Sequence, residues 1–189
     1  MTDCEICSNP VASPARGRRP RFCSTRCRVA AHRKAQKLPI PTELKERARW
    51  IRHADKRPIN VRGWYCAVTD SKAWSSFEEA KASKEGDGLG FVLNGDGVVC
   101  VDLDDCIVDG VVSVEAQALL DSLPRTFVEI SPSGRGLHVW GFGTVETGRR
   151  FERNGLKVEV YGDGRYLTVT GKALVDAPLA QLDLDDLVR

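Results

Sequence analysis

The sequence predicts an α+β protein, with a mixed or antiparallel sheet and flanking helices preceded by a small cysteine-rich module. Two observations support this prediction. Short apolar segments of strand length alternate with helical segments and glycine-rich turns, an order typical of an α+β domain. Four of the seven cysteines fall within the first 27 residues, a segment too short to build an apolar core of its own.

The N-terminal cysteines have the spacing of a structural zinc site. Cys4 and Cys7 form a CxxC pair, and Cys23 and Cys27 follow as CxxxC. Four thiolates in two such pairs are a typical tetrahedral zinc set, and metal binding would supply most of the folding free energy of this segment. A redox role is disfavoured because no βαβ context surrounds the CxxC pair. His32 is not needed as a ligand, since four cysteines complete the shell.

The net charge of +2 conceals an asymmetry along the chain. Residues 1–57 carry 15 Lys and Arg against 5 Asp and Glu, whereas residues 58–189 carry 13 against 21. This division favours a basic arm that contacts nucleic acid and a body that gathers carboxylates for a metal, although two solvated faces would give the same count. The basic residues near the cysteines are Arg16, Arg18, Arg19, Arg21, Arg26, Arg28, Arg33 and Lys34.

The cysteine-rich segment also resembles small treble-clef or ribbon zinc fingers with an FCSxxCRxxxxR signature, which implies contact with nucleic acid or protein. The apolar runs are too short to cross a membrane and the N-terminus lacks the apolar region of a signal peptide, so a cytoplasmic protein is expected. Cys66, Cys100 and Cys106 are expected to be buried thiols or incidental. The signature is carried by Phe22, Cys23, Ser24, Cys27, Arg28 and Arg33.

Two prolines, Pro39 and Pro41, indicate a linker to the second domain. A helix is expected to begin there with Thr42 as its N-cap, because apolar residues follow at helical spacing. Those residues are Leu44, Ala48 and Ile51.

Two further helices are expected. Ser76 and Glu79 have capping-box spacing, with Gly86 as a stop. Another helix should run from Ser113 to Leu123, before a proline.

Strands are expected at 89–93, 98–104, 126–131, 137–142, 156–161 and 165–171. The acidic C-terminal segment is expected to form a short helix or to fray. The predicted domain ranges are 1–37 for the zinc module, 38–178 for the catalytic domain and 179–189 for the tail.

The strand VVCVDLD places two carboxylates on one face. Asp102 and Asp104 are two residues apart, so their mutual repulsion favours a bound cation between them. Mg²⁺ is usually held by one or two carboxylates together with substrate phosphates, whereas the register does not fit a calcium loop. A carboxylate cluster at a solvated strand end is the simpler alternative. Glu159 lies within another strand, and three carboxylates on adjoining faces would suit two metals and phosphoryl or nucleotidyl transfer.

The segment ISPSGRGLHVWGFG places a histidine just after a glycine-rich turn. Ser133, Arg135 and the flexible backbone around Gly134 and Gly136 offer donors that suit a phosphate, and His138 could serve the same anion. An ordinary hairpin turn explains the same residues equally well.

Taken in order, VDLDDC, SPSGRGLHVW and VEVYGDGRYLTVTG resemble the three motifs of the archaeo-eukaryotic primase superfamily, specifically the N-terminal domains of phage and plasmid primase-polymerases. The resemblance runs from Lys56 to Gly171 and includes the upstream KRPINVRGWYCAVTDSKAWSSFEEA. It implies a primase-polymerase catalytic core following the zinc module.

The resemblance assigns roles to individual positions. Asp102 and Asp104 match metal-binding aspartates, Glu159 the third acidic ligand, and His138 the histidine that contacts the phosphates of the incoming nucleotide. Ser133, Arg135 and Arg165 are expected to help hold the triphosphate, although Arg165 would equally suit a structural role. Many members have serine two residues before the histidine, where this chain has Gly136.

The implied activity is template-directed nucleotidyl transfer with NTP or dNTP on single-stranded DNA, dependent on Mg²⁺ or Mn²⁺, with structural Zn²⁺. The setting would be replication of a phage or mobile element, with a separate helicase as partner. A non-catalytic DNA- or replisome-binding module with a primase-like fold is one alternative. A metal-dependent nuclease is another, since it can use the same carboxylates.

Overall fold

A computed structural model describes residues 2–11, 20–36, 39–185 and 187. The chain divides into two compact units, an N-terminal unit, Met1–Leu38, and a C-terminal unit, Pro39–Arg189. Within the described residues, no helix combines the length and the apolar character needed to span a membrane.

The N-terminal unit is built around its cysteines. Strand β1 (Thr2–Asp3) pairs antiparallel with β2 (Pro10–Val11), and helix α1 (Thr25–Gln36) follows. Buried apolar packing involves Cys4, Val11 and Cys27, with the half-buried Phe22 against them. So small a cluster cannot by itself offset the conformational entropy of folding. Three of the basic residues expected to contact phosphates, Arg16, Arg18 and Arg19, lie outside the described residues.

The C-terminal unit is an α+β domain with two main sheets. Its helices are α2 (Thr42–Lys45), α3 (Phe77–Ala82) and α4 (Val114–Ser122), with a short 3₁₀ helix at Ser71–Ala73. Its strands are β3 (Trp50–Ala54), β4 (Arg57–Ile59), β5 (Gly88–Leu93), β6 (Val98–Asp104), β7 (Ile107–Val108), β8 (Val111–Val112), β9 (Val128–Ile130), β10 (Leu137–Phe142), β11 (Arg149–Arg153), β12 (Leu156–Tyr161), β13 (Arg165–Val169), β14 (Ala173–Val175) and β15 (Ala180–Gln181).

The strand pairings are almost all antiparallel. A four-stranded sheet has the order β13-β5-β3-β4, and a seven-stranded sheet has the order β11-β12-β6-β10-β9-β14, with β15 pairing parallel to β10. Strands β7 and β8 form a separate hairpin. The prediction of a mixed or antiparallel sheet with a few helices is therefore confirmed.

Aromatic side chains join the two main sheets. Phe91 of the four-stranded sheet lies with its ring centroid 5.9 Å from that of Trp140 in the seven-stranded sheet, and 5.1 Å from that of Trp50. All three side chains are completely buried. Edge-to-face pairs of this kind contribute about 0.5–1.5 kcal/mol each beyond the area they bury. The opposite face of the seven-stranded sheet packs against α4 and the leucines of the C-terminal segment.

Local signals at two helix starts are confirmed. Ser76 and Glu79 form a reciprocal capping box at α3, which ends at Ala82, before the expected stop at Gly86. At α4, the Ser113 hydroxyl accepts a hydrogen bond from the Ala116 backbone N–H.

The expected helix from Thr42 to Ile51 is wrong beyond its first turn. Helix α2 ends at Lys45, Pro41 occupies the N-cap position without a side-chain cap, and Trp50 begins a strand. Trp50 and Ile51 are adjacent and both completely buried, which a strand covered on both faces permits. Pairing of Trp50 with Phe91 on β5 overrides the helical spacing.

The expectation of a short helix or a frayed end is also wrong for residues 180–185, the continuous described part of the C-terminal segment. Ala180 and Gln181 form β15, which pairs with Gly141 and Phe142. Residues 182–185 alternate between buried and exposed, the period of an extended chain, and the leucines join the core of the seven-stranded sheet.

We predict that Gly141→Ala displaces the C-terminal segment. An added Cβ would lie 2.5 Å from Leu182 Cγ and 2.8 Å from the Ala180 carbonyl oxygen, so β15 must move. Overpacking of this kind should lower the free energy of unfolding by about 1–3 kcal/mol. Denaturant unfolding measures that loss, and limited proteolysis should cut the tail of the variant sooner.

Gly162→Ala is the matched control, because its Cβ would meet only valine side-chain atoms, at 3.3 Å and beyond. Equal stability and equal tail protection in both variants would contradict this account of β15.

Candidate active site

One row of side chains crosses the seven-stranded sheet and contains three of the polar residues that the sequence singled out, Asp102, His138 and Glu159. Glu159 on β12 pairs with Asp102 on β6, Asp102 pairs with His138 on β10, and His138 pairs with Glu129 on β9. At the other end, Arg150 on β11 pairs with Glu159. Directly opposite residues have Cβ atoms about 5 Å apart and point to the same face. The strand register therefore brings five ionisable side chains into one line.

Alternation along each strand determines which face carries this row. The flanking residues Val101 and Leu103 on β6, Val139 on β10 and Val158 on β12 are buried on the other face, in the core beneath α4. Because successive side chains point to opposite faces, burying those residues turns Asp102, His138 and Glu159 the other way. Asp104 lies on the same face as Asp102, and its side chain is exposed.

Asp102 and His138 lie together in a largely dry part of the site. The His138 Nε2 atom is 3.7 Å from Asp102 Oδ1, and both residues are mostly shielded from solvent. Burial raises the pKa of Asp102 to about 6, opposed chiefly by the charge of His138 and reinforced by Asp104 and Glu159. A carboxylate in this position gains from a nearby cation, which would replace the proton.

Glu129 is the member of the row that the sequence analysis missed. It is completely buried, and its Oε1 lies 3.4 Å from His138 Nδ1. Trp140 Nε1 donates to Oε1 at 3.2 Å, and the backbone N–H groups of Thr170 and Gly171 donate to Oε2 at 3.0 and 2.8 Å. A buried carboxylate is stable only with such partners. The one available signal was an acidic residue inside the apolar segment TFVEIS.

The environment of His138 raises its pKa. Burial by itself would lower that pKa, but the contact with Glu129 and the charges of Asp102 and Glu129 outweigh burial. Because Nδ1 faces Glu129, a proton on Nδ1 is directed there, and Nε2 is directed towards Asp102. Glu129 thus orients the ring that the sequence predicted to contact phosphates.

Glu159 is held by cationic and hydroxyl partners. Arg150 Nε lies 2.6 Å from Glu159 Oε1, the Tyr161 hydroxyl donates to Oε2 at 2.6 Å, and Arg165 NH1 lies 3.9 Å from Oε2. The Arg165 guanidinium also stacks 4.0 Å from the centroid of the Tyr161 ring. The structure therefore places Arg165 beside the carboxylates and adds Arg150, which the sequence analysis did not select.

The glycine-rich turn before β10 is internally hydrogen-bonded. Ser133 Oγ lies 3.1 Å from Ser131 Oγ and accepts from the Arg135 backbone N–H, while Gly134 has a φ of +74°. The Arg135 side chain is exposed and pairs with Asp105 at 3.1 Å. Ser133 and Arg135 therefore have structural partners within or next to the turn.

Gly136 departs from the serine common at its position in related motifs, and its surroundings explain why. A Cβ there would lie 2.6 Å from the Leu103 carbonyl oxygen of β6. The close approach of the two strands leaves no room for a side chain.

The carboxylates share a face without being gathered into a cage. Among the described residues, Cys4, Cys7, Cys23 and Cys27 form the only group of three or more His, Cys, Asp or Glu whose ligand atoms all lie within 4.8 Å of one another. The carboxylate oxygens of Asp102, Asp104 and Glu159 are chemically suited to Mg²⁺ or Mn²⁺.

The cysteine group has dimensions that suit a tetrahedral metal. The Sγ atoms of Cys7, Cys23 and Cys27 are 3.4–3.6 Å apart, close to the edge of about 3.8 Å implied by zinc–sulfur bonds of about 2.3 Å. Backbone N–H groups lower the pKa of Cys4 to about 6, whereas neighbouring thiols raise that of Cys23 to about 12. Four thiolates this close together would repel one another, so a bound cation would stabilise their ionised forms.

Comparison with known proteins identifies a family and a relative. The family described as "Bifunctional DNA primase/polymerase, N-terminal" matches residues 21–181. A protein of Nitratiruptor phage NrS-1, named DNA primase-polymerase, is 33% identical over 150 residues. That match covers 71% of this chain and 21% of the phage protein, so the chain spans about a fifth of its relative's length. The family match includes the whole polar row but only the second cysteine pair.

We predict that Glu129→Gln lowers the pKa of His138, because the substitution removes the negative charge that faces Nδ1. The three histidines of the chain can be followed by NMR titration of their ring protons. Glu115→Gln, an exposed change in α4, is the control and should leave the titration unaltered. An unchanged pKa of His138 in the folded Glu129 variant would contradict the orienting role.

Proposed function

Because this chain belongs to the family of bifunctional DNA primase/polymerase N-terminal domains, we propose that it is a nucleotidyltransferase that extends a strand on a single-stranded DNA template with NTP or dNTP. The observation that carries the proposal is the row from Glu159 through Asp102 to His138, which combines carboxylates with an oriented histidine. The proposed setting is replication of a phage or mobile element, as the phage relative suggests.

In this proposal Asp102, Asp104 and Glu159 hold Mg²⁺ or Mn²⁺. The metal, when bound, neutralises triphosphate charge and activates the attacking 3′-hydroxyl. Arg150 and Arg165 lie beside Glu159. When Glu159 binds the metal, both guanidinium groups would be free to contact triphosphate oxygens. The raised pKa of Asp102 supports this proposal, because a bound metal ion would stabilise the charged form of a buried carboxylate.

His138 would position the phosphates of the incoming nucleotide. Glu129 keeps the ring oriented through Nδ1, which leaves Nε2 on the side of Asp102 to donate a hydrogen bond to a phosphate oxygen. Arg165, with Arg135 and Ser133 of the turn, is proposed to hold the remaining oxygens. Arg135 must then exchange its pairing with Asp105 for a phosphate.

The cysteine group is proposed to bind structural Zn²⁺, and its unit to hold the template. Residues 58–189 carry a net negative charge, which disfavours DNA binding, whereas residues 1–57 carry 15 Lys and Arg against 5 Asp and Glu. We propose a replicative helicase as a partner.

A template-dependent extension assay tests the activity. The full chain is incubated with primed and unprimed single-stranded DNA, labelled NTP or dNTP, and Mg²⁺ or Mn²⁺. We expect products that vanish with a chelator and in Asp102→Ala/Asp104→Ala, while DNA binding persists. Asp121→Ala, an exposed change in α4, should retain full activity.

Other outcomes would point to other functions. If no extension product forms with either metal while DNA binding is intact, a non-catalytic module is favoured. Shortening of the DNA that depends on the same aspartates would favour a nuclease.

We predict that the purified chain contains about one zinc ion, held by four cysteines. Cys23→Ser should lose the zinc and expose the N-terminal unit to protease, because metal binding supplies its folding free energy. Elemental analysis and limited proteolysis measure both effects. Cys66→Ser, outside the cysteine group, should keep the metal. Full zinc content in the Cys23 variant would contradict the assignment.

A further inference from the structure

A short turn of the C-terminal unit displays two aromatic side chains to solvent. In the segment 57–65, here called the aromatic turn, Trp64 is 71% exposed and Tyr65 is 59% exposed. Among the described residues, no other aromatic side chain is classed as exposed. Two large exposed aromatic side chains lose the free energy that burial would provide. Such exposed apolar surface is typical of a binding site.

The backbone of the aromatic turn is well ordered by hydrogen bonds. Asn60 Oδ1 accepts from the backbone N–H groups of Arg62 and Trp64, at 2.9 and 3.1 Å. The Asn60 N–H donates to the Trp64 carbonyl at 2.8 Å, and Gly63 supplies a φ of +86°. The two rings are therefore presented on a preorganised support, which reduces the entropy lost on binding.

Cationic side chains accompany the rings. The Arg57 guanidinium lies 4.1 Å from the centroid of the Tyr65 ring, and Lys56 and Arg62 are exposed nearby in the chain. In the described part of the chain none of these three forms an ion pair, so their charges are available to phosphates. Another exposed apolar group, the valines 108, 111 and 114, lacks such a combination of ring and cation.

Aromatic rings beside cations are the usual chemistry of single-stranded nucleic-acid binding. Unpaired bases stack on exposed rings, and Lys and Arg contact the phosphates between them. A duplex would not use the rings in this way, because its base faces are already stacked. The occupant that fits best is therefore a strand with free bases.

We propose that the aromatic turn binds single-stranded DNA by stacking bases on Trp64 and Tyr65. This inference rests on the proposed function, because it identifies the strand as template. Strand β4, which begins the turn, lies at one edge of the four-stranded sheet, whereas β13, which carries Arg165, lies at the other. The turn would thus hold template away from the carboxylates.

Binding to two oligonucleotides tests the proposal. The probes are an oligodeoxythymidylate of about 15 nucleotides and an abasic strand of equal length, which retains phosphates without bases. We expect the full chain to prefer the thymidylate, and Trp64→Ala to weaken thymidylate binding about tenfold while leaving abasic binding unchanged. Trp64→Phe should retain most of the preference. Val114→Ala is the matched control, since it removes exposed apolar surface elsewhere.

The salt dependence separates stacking from charge. Arg62→Gln should reduce the slope of log affinity against log salt by about 0.7, whereas Trp64→Ala should leave that slope unchanged. Tryptophan fluorescence provides a readout, because Trp64 is the most exposed of the four tryptophans: Trp50 and Trp140 are completely buried and Trp74 is half-buried. Thymidylate should quench the emission of the wild type but not that of Trp64→Phe.

The outcomes also separate this proposal from the enzymatic one. Base-dependent binding that needs Trp64, in a chain without synthesis, would sustain the proposed surface and overturn the activity. Synthesis with equal preference for bases in the wild type and in Trp64→Ala would overturn the surface alone. Loss of both thymidylate and abasic binding in Trp64→Ala would also overturn it, since stacking cannot explain that result.

Discussion

The pairing of β6 with both β10 and β12 in a single register is the constraint on which the rest of the structure depends. It places Asp102 opposite His138 on one side and opposite Glu159 on the other. A slip of one residue would turn the charged side chains into the core and the valines away from it. The burial of those valines against α4 opposes this change. The site is thus maintained by the same apolar packing that holds the sheet together, even though the carboxylates of Asp102 and Glu159 repel each other.

That repulsion gives the row its chemical character. Glu129 is stabilised by backbone N–H groups and the Trp140 indole, and Glu159 by Arg150 and the Tyr161 hydroxyl. Asp102 has His138 as its close counter-charge, at 3.7 Å, and burial raises its pKa to about 6 despite that charge. The structure therefore satisfies the two ends of the row and leaves its centre in need of positive charge, as the proposed metal-dependent transfer requires.

The residues of the proposed active site and those of the proposed strand-binding surface lie in different parts of the C-terminal unit. The contact between Phe91 and Trp140 joins the two sheets. Arg165 on β13 lies beside the Glu159 carboxylate. Residues 1–57 carry a net positive charge and residues 58–189 a net negative one, and the exposed rings of the aromatic turn follow β4, at the opposite sheet edge from the strand of Arg165. The proposed chemistry and the proposed strand binding therefore involve separate sets of residues.

By itself the sequence determined the features that depend on neighbours along the chain: the cysteine spacing, the caps at Ser76 and Ser113, most strands, and the common face of Asp102 and Asp104. It also indicated Glu159 and His138 as candidate site residues, and the family resemblance assigned their roles. Only the tertiary structure decided that Trp50 begins a strand, that Ala180 joins β10, and that Glu129 and Arg150 complete the row. Each of these depends on pairing between strands distant in sequence, and local spacing carries no information about which strands will meet.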